Sequence, residues 1–199
     1  MSDYHHGNLR NALIVAAAEL IEERGSNDFS MIDASRRAGV SSAAPYRHFK
    51  DRDALLEAVC LVAFMALSDA IDAASQPFKP GTPEHIIALG KAYITFVTSH
   101  PAFYNLMWGD RGIQAIDSGS AELKSSGFYT LVDSVQELCG GDEGDALSLA
   151  TRLWALVHGL SSLALNQHLE KMVPGADVYA LLESSTHMFL AALQPEQHR

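Results

Sequence analysis

The spacing of hydrophobic residues along this chain predicts helices almost throughout, because apolar positions recur every three or four residues and no useful strand alternation appears. The first helix is expected between Asn8, which can act as an N-cap, and Gly25, which can end it. Further helices are predicted over residues 51–75, 83–99, 102–109, 120–139, 145–170 and 176–193, separated by proline and glycine breaks. The pattern therefore predicts an all-α protein with a small three-helix N-terminal head and a larger helical body.

A short second helix is predicted directly after the first one. Ser30 and Asp33 form the pattern of a capping box, in which the serine side chain and the acid satisfy each other's backbone N–H groups. The helix is expected over 31–38, with Ile32 and Ala38 facing the core.

The residues that follow have the spacing of a helix-turn-helix, from about Ser30 to Phe49. Gly39 can adopt the positive φ that the turn needs. Ser41 or Ser42 is expected to cap a third helix through His48, short enough for its first turn to enter a DNA major groove about 12 Å wide.

The distribution of charge leaves room for DNA binding, although the whole chain carries a formal charge of −10. Residues 1–60 hold seven basic and nine acidic residues, whereas residues 61–199 hold seven and fifteen. The stretch from Arg36 to Lys50 has four basic residues and no acid. A basic patch of this kind can attract phosphate locally, since charges are screened beyond about 8–10 Å. The alternative interpretation is a solvated helix face.

Composition and termini favour a soluble cytoplasmic protein. The two cysteines, Cys60 and Cys139, suit a reducing compartment. The first residues lack the basic and apolar regions of a signal peptide. The longest nearly uncharged run, 54–67, is shorter than the ~20 residues that cross a bilayer, so no membrane association is expected.

The ordered motif from Gly39 onward resembles the TetR family of bacterial transcriptional regulators. Four matching segments carry the resemblance: Gly39-Val40-Ser41, Tyr46-Arg47-His48-Phe49, Lys50-Asp51-Arg52 and Leu55-Leu56. The opening Tyr4-His5-His6-Gly7-Asn8-Leu9-Arg10 is also similar to members of the family. Trp154 and His158-Gly159 resemble a subset of the family that is named for a Trp and a His-Gly pair.

The resemblance implies a helix-turn-helix DNA-binding domain over residues 5–65 and a ligand-binding and dimerisation domain over 66–199. It implies DNA contacts at Ser41, Ser42, Ala43, Ala44, Pro45, Tyr46, Arg47, His48, Lys50 and Arg52. Whether Arg47 would reach a base edge or only a phosphate is left open. Phe49 is expected to be a core anchor.

Bulky residues in the body are candidates for a largely apolar effector site, because relatives use this region to bind small molecules. The candidates are Phe96, Phe103, Tyr104, Met107, Trp108, Trp154 and His158, in a group that also includes Tyr93. Simple core packing is the alternative for each of them.

The last two long helices carry wide apolar faces, which we expect to form the interface of a two-fold homodimer suited to a palindromic operator. Leu153, Leu160, Leu181 and Met188 are the predicted interface residues, and Gly159, Ser161 and Ser162 are small enough for a partner helix to approach.

These expectations describe a ligand-responsive transcriptional regulator, in most such families a repressor that a small molecule releases from double-stranded operator DNA. The alternative is a helical small-molecule-binding protein of the same fold that lacks specific DNA binding. A helical-bundle metalloenzyme is disfavoured because no Glu-x-x-His or His-x-x-x-His pair occurs. No catalytic motif, metal site or cofactor is expected.

Overall fold

The computed structural model describes residues 3–109, 127–140 and 143–191, and every regular element in those ranges is a helix. The elements are α1 (Asp3–Arg24), α2 (Met31–Arg37), a 3₁₀ turn (Pro45–Arg47), α3 (Arg52–Ser75), α4 (Pro83–Ser99), α5 (Pro101–Trp108), α6 (Gly127–Cys139), α7 (Glu143–Leu165), α8 (His168–Met172) and α9 (Val178–Ala191). The predicted all-α class is confirmed.

The chain forms two compact units. The first consists of Met1–Met65 and His100–Leu123, and the second of Ala66–Ser99 and Lys124–Arg199. The long helix α3 continues from the first unit into the second, and α5 is grouped with the N-terminal helices. The assignment of DNA binding to 5–65 and of ligand binding and dimerisation to 66–199 stays a prediction.

The start of α2 is fixed by local chemistry. Ser30 Oγ accepts a hydrogen bond from the backbone N of Asp33 at 3.1 Å, and Asp33 Oδ2 accepts one from the backbone N of Ser30 at 2.9 Å. This is the predicted capping box, and the hydrogen bond from the backbone N of Ser30 lowers the pKa of the Asp33 carboxyl. The expected orientation of Ile32 is wrong, because this side chain is 55% exposed while Met31, Ala34 and Ser35 fill the buried face.

The third predicted helix is also wrong, since this segment contains only one 3₁₀ turn. Pro45 has no N–H with which to bond the carbonyl of Ser41, and the N–H of Ala44 takes that carbonyl instead at 3.0 Å. The turn continues with a hydrogen bond from Arg47 N to Ala44 O, so the spacing is three residues rather than four. Neither Ser41 nor Ser42 caps it, because the N-cap is Ala44, without a side-chain hydrogen bond.

Two further helix boundaries differ from the sequence expectation. α1 begins at Asp3, five residues before the expected cap at Asn8. The single helix expected over 145–170 is two helices, because Gln167 adopts a left-handed conformation (φ 56°) between α7 and α8. The predicted segments 110–119, 120–126, 141–142 and 192–193 lie outside the described residues.

By length and composition, α3 is apolar enough to cross a membrane, although the run 54–67 within it is shorter than the ~20 residues that cross a bilayer. Half of its most apolar 18-residue window is buried inside the protein, as in the core helices of soluble proteins. Asp51 Oδ1 accepts a hydrogen bond from Ala54 N at 2.9 Å and thereby caps its first turn.

The second unit is built around α7, which packs against α4, α6, α8 and α9. Its fully buried side chains include Ile94, Val97 and Val135. Gly90 lies in the middle of α4, where a Cβ would come within 2.9 Å of Leu182 on α9. A glycine at this position therefore allows α4 and α9 to approach closely, at the cost of some helix propensity.

Candidate DNA interface and ligand site

A set of ion pairs holds α2 against α1. Arg37 lies 3.2 Å from a carboxylate oxygen of Glu19 and 2.5 Å from one of Glu23. The hydrogen bond to Arg37 lowers the pKa of the Glu23 carboxyl and raises the pKa of the guanidinium. Arg37, one of the four basic residues from Arg36 to Lys50, is therefore ion-paired with acidic residues of another helix.

Arg52 connects the start of α3 to the loop that precedes α2. Its Nε donates to the carbonyl of Phe29 at 2.6 Å, its Nη2 donates to the carbonyl of Asn27, and its guanidinium lies 5.2 Å from the centre of the Phe29 ring. We therefore correct the predicted phosphate contact at Arg52, because these groups already serve backbone carbonyls.

The residues expected to contact DNA differ in their exposure. Ser41, Ser42, Ala43, Tyr46, Arg47 and Lys50 are exposed, and Ala44 and His48 are half-buried. Pro45 is fully buried, so its side chain supports the turn. The structure therefore contradicts the prediction that Pro45 contacts DNA. Phe49 is 4% exposed, in keeping with the expected core anchor.

The charges around this surface favour Arg47 and Lys50 as the available cations. Within the described part of the chain, neither forms an ion pair, whereas Arg36 lies 3.8 Å from Asp33. Arg10 is an exposed cation that sequence reasoning missed, and its guanidinium lies 5.3 Å from the ring centre of Phe49. The sequence signal that could have identified Arg10 is its positive charge, which is isolated from other charges in the first half of α1. The segment from Ser41 to Lys50 therefore presents hydroxyls, a phenol and two cations, which are groups that contact DNA backbone.

Four of the predicted effector residues lie on α5 in the first unit. Trp108 packs edge-on against Phe64 with ring centres 5.5 Å apart, and Phe103 stacks on His100 at 5.9 Å. Burial raises the pKa of the half-buried Tyr104.

Met107, the fourth of them, is fully buried. His100 Nδ1 also lies 2.5 Å from Glu22 Oε1 on α1, and this contact links α5 to the N-terminal helix.

The other three effector candidates, Phe96, Trp154 and His158, lie in the second unit, where the structure brings two of them together. The rings of Trp154 and His158 have centres 4.6 Å apart, and the hydroxyl of Tyr93 lies 3.1 Å from His158 Nε2. Burial lowers the pKa of His158 to about 4, so its imidazole is neutral at pH 7. Phe128 on α6 packs edge-on against Trp154 at 5.7 Å and was missed, because nothing in its spacing linked it to α7.

The predicted dimer residues are divided between core and surface. Leu153 and Leu160 are 4% and 8% exposed, so they pack inside their own chain, and their assignment to an interface is corrected. Leu181 and Met188 are 38% and 72% exposed on α9 and are available for a partner. Of the small residues on α7, Gly159 is exposed with open space around its Cα, whereas Ser161 is buried.

The described helices also contain a serine–histidine pair, His85 and Ser134. Their Nδ1 and Oγ atoms lie 2.9 Å apart, but both side chains are buried and Ser134 Oγ also accepts a hydrogen bond from Gly81 N. Desolvation lowers the pKa of His85. The pair joins α4 to α6 as a buried polar contact. Among the residues that the structure describes, no three His, Cys, Asp or Glu side chains are grouped to hold a metal ion.

Comparison with known proteins gives two family matches. Residues 13–59 match the family described as bacterial regulatory proteins, tetR family, and residues 86–189 match the tetracyclin repressor-like C-terminal domain. The HTH-type transcriptional regulator BetI from Cronobacter sakazakii is 36% identical over 75 residues, which are 38% of this chain and 37% of that protein.

Solved structures resemble the chain over nearly its full length. A protein with unknown function from Rhodococcus sp. RHA1 is 30% identical with a TM-score of 0.76, covering 96% of this chain and 98% of that one. A putative TetR-family transcriptional regulator from Mesorhizobium loti, 18% identical, shares the fold with a TM-score of 0.64 over 94% and 95%. With one family domain matched over more than half of the chain and the other over the helix-turn-helix, this protein belongs to the TetR family of transcriptional regulators.

Proposed function

We propose that this regulator is a cytoplasmic homodimeric repressor that leaves a palindromic operator when a small molecule binds. The observation that carries the DNA-binding part is the exposed segment from Ser41 to Lys50, in which Arg47 and Lys50 have no acidic partner among the described residues. The hydroxyls of Ser41, Ser42 and Tyr46 stand beside them as further phosphate ligands.

A two-fold dimer is the assembly that suits this role, because two identical heads would read two half-sites of a palindrome. Leu181 and Met188 on α9 and the open surface at Gly159 on α7 support an interface on these two helices. The three residues are exposed in the single chain, and two of them are large and apolar.

The experiment that tests DNA binding is a gel shift with the DNA that flanks the protein's own gene. We expect a retarded complex that competitor DNA of scrambled sequence does not displace. Tyr46→Phe should weaken the complex, and Lys79→Ala should leave it unchanged because Lys79 is an exposed lysine of the second unit. Equal binding to flanking and scrambled DNA would contradict the proposal.

The second candidate function is a small-molecule-binding protein of the same fold without specific DNA binding, which the formal charge of −10 favours. It predicts no retarded complex in the same gel shift, while a ligand still raises the melting temperature. Effector binding near α5 has its own test. Trp108→Ala and Phe103→Ala should reduce release by the inducer and leave DNA binding of the free protein nearly unchanged.

A further inference from the structure

Arg10 is an exposed cation that belongs to α1 but lies against the segment expected to contact DNA. Its guanidinium is 5.3 Å from the ring centre of Phe49, the residue that directly precedes Lys50. The N–H of Phe49 donates to the carbonyl of Pro45 at 2.9 Å, so the ring is fixed to the 3₁₀ turn. Packing therefore places a positive charge from a different helix beside the end of this segment.

Arg10 has no acidic partner that would keep its charge within the fold. Among the described residues its guanidinium forms no ion pair and no hydrogen bond. The positions three and four residues away on α1, where a helix-surface pair forms, carry no Asp or Glu. The acids of α1 that come nearest in sequence, Asp3 and Glu19, are seven and nine residues away, which is about 10 Å or more along the axis.

The contact with Phe49 orients Arg10 without neutralising it. Phe49 is 4% exposed, and any unbranched apolar side chain at position 10 would cover its ring equally well. A guanidinium over an aromatic face is attracted by the ring and keeps its N–H donors free at its edge. An arginine held in this way loses less side-chain entropy when it binds an anion. The stacking therefore presents a positioned planar cation whose donors match two oxygens of a phosphate.

The surrounding surface points to an extended polyanion as the partner of Arg10. Arg47 and Lys50 are also exposed and have no ion pair among the described residues. Three such cations from two separate parts of the chain suit a strand of DNA, which carries one phosphate about every 3.4 Å of axis, whereas a small anion would engage only one of them. Arg10 lies outside residues 13–59, which match the tetR family, so that match gives it no role.

We propose that Arg10 binds a DNA phosphate, and that the DNA-binding surface of this regulator therefore extends from the helix-turn-helix to α1. Phe49 has a positioning role, because its buried ring holds the guanidinium at the edge of that surface. The inference rests on the proposed DNA-binding function and adds one contact per subunit to it. This contact strengthens binding to any sequence, since phosphate contacts position a protein without specifying a base.

The test compares two substitutions at the same position. Arg10→Met removes the charge and keeps an unbranched side chain that can still cover Phe49, whereas Arg10→Lys keeps the charge. Affinity is measured by fluorescence anisotropy from 50 to 200 mM salt, with two labelled duplexes of equal length: DNA that flanks the protein's own gene and a scrambled sequence. Arg10→Gln serves as a second uncharged variant should Arg10→Met fold poorly.

We expect Arg10→Met to decrease the slope of log K against log salt concentration by about 1.8 for the dimer, because each lost phosphate contact contributes about 0.9. Between 50 and 200 mM salt, its affinity should therefore fall about tenfold less than that of the wild type, on both duplexes. Arg10→Lys should keep the wild-type slope. The melting temperature should change by no more than about 2 °C in either variant, as for other exposed positions.

Arg24→Met is the matched control, because Arg24 is an exposed cation at the other end of α1, about 21 Å along the axis. Arg24 donates to the carbonyl of Asp28 at 2.8 Å and lies 3.4 Å from Asp33, so its charge is used within the fold. This variant removes the same unit of charge from the same helix, and the slope should not change.

Three results would overturn the proposal: a wild-type slope in Arg10→Met, an equal decrease in Arg10→Lys, or an equal decrease in Arg24→Met. Each of them leaves the regulator function intact when the wild type still prefers the flanking duplex. Equal binding of the wild type to both duplexes contradicts specific regulation instead, and the slopes on either duplex still decide the role of Arg10. A wild type that binds neither duplex contradicts both.

Discussion

Lys50 and Arg37 lie in the same basic stretch, but the structure predicts opposite results when each is removed. Lys50 is exposed and has no ion pair among the described residues, whereas Arg37 is bound by Glu19 and Glu23. Lys50→Ala should therefore weaken DNA binding through a lost phosphate contact. Arg37→Ala removes a contact between α1 and α2, not a contact to DNA.

The size of the effect follows from counterion release. Each neutralised phosphate contributes about −0.9 to the slope of log K against log salt concentration, so a dimer that loses Lys50 twice should have a slope smaller by about 1.8. Between 50 and 200 mM salt, the wild-type affinity should consequently fall about tenfold more than that of Lys50→Ala. Because phosphate contacts carry no sequence information, the loss should be similar on operator and on scrambled DNA.

Fluorescence anisotropy of a labelled duplex at four salt concentrations measures this slope, with far-UV circular dichroism to confirm that each variant is folded. Arg37→Ala is the matched control because it removes one positive charge from the same stretch. A Lys50→Ala slope equal to that of the wild type would refute the assignment of Lys50 to phosphate. An equal decrease in both variants would show that net charge, not a specific contact, sets the slope.

Three further predictions concern stability and assembly. Arg52→Ala should lower the free energy of unfolding by about 2 kcal/mol in urea, because two charge-assisted hydrogen bonds to backbone carbonyls are lost, and the salt slope of DNA binding should not change. Gly159→Leu should give a folded monomer by light scattering. The neighbouring change Leu160→Ala should keep the dimer but lower the free energy of unfolding by about 2–4 kcal/mol. The pKa of His158 is near 4 when folded and 6.5 ordinarily, so below pH 6.5 the unfolded chain takes up a proton that the folded chain does not. Stability should therefore fall from pH 6.5 toward 4, by at most about 1.4 kcal/mol per pH unit, and His158→Gln should reduce this dependence in urea titrations at pH 7 and 5.

The elements that the sequence predicted well are those determined by neighbouring residues. The capping box of Ser30 and Asp33 acts over three residues, and the structure contains it together with the turn at Gly39, whose φ is 69°. The third helix was predicted wrongly for an equally local reason. Pro45 lies within the predicted helix, and because it has no N–H, the carbonyl of Ser41 accepts a hydrogen bond from Ala44 N instead and the turn is tighter.

The roles of the cations depended on partners that are distant in sequence. Arg37 meets acids 14 and 18 residues earlier, and Arg52 meets carbonyls 23 and 25 residues earlier. A count of charges along the chain gives all of these cations equal weight. The packing of α1 and of the loop at Asn27 and Phe29 shows which of these cations are bound within the fold.

The apolar residues of α7 illustrate why a hydrophobic stripe does not identify a dimer interface. α7 contacts four other helices of its own unit, so a helix in this position is apolar on most sides. Leu153 and Leu160 are accordingly buried in the core of their own chain. The surface that remains carries small residues, Ala155 and Gly159, followed by the exposed Leu163. Small side chains allow two helix axes to approach closely, and this contributes dispersion contacts along the whole crossing. In the proposed dimer the glycine, not the leucines that dominate the sequence pattern, therefore marks the side of α7 that meets its partner.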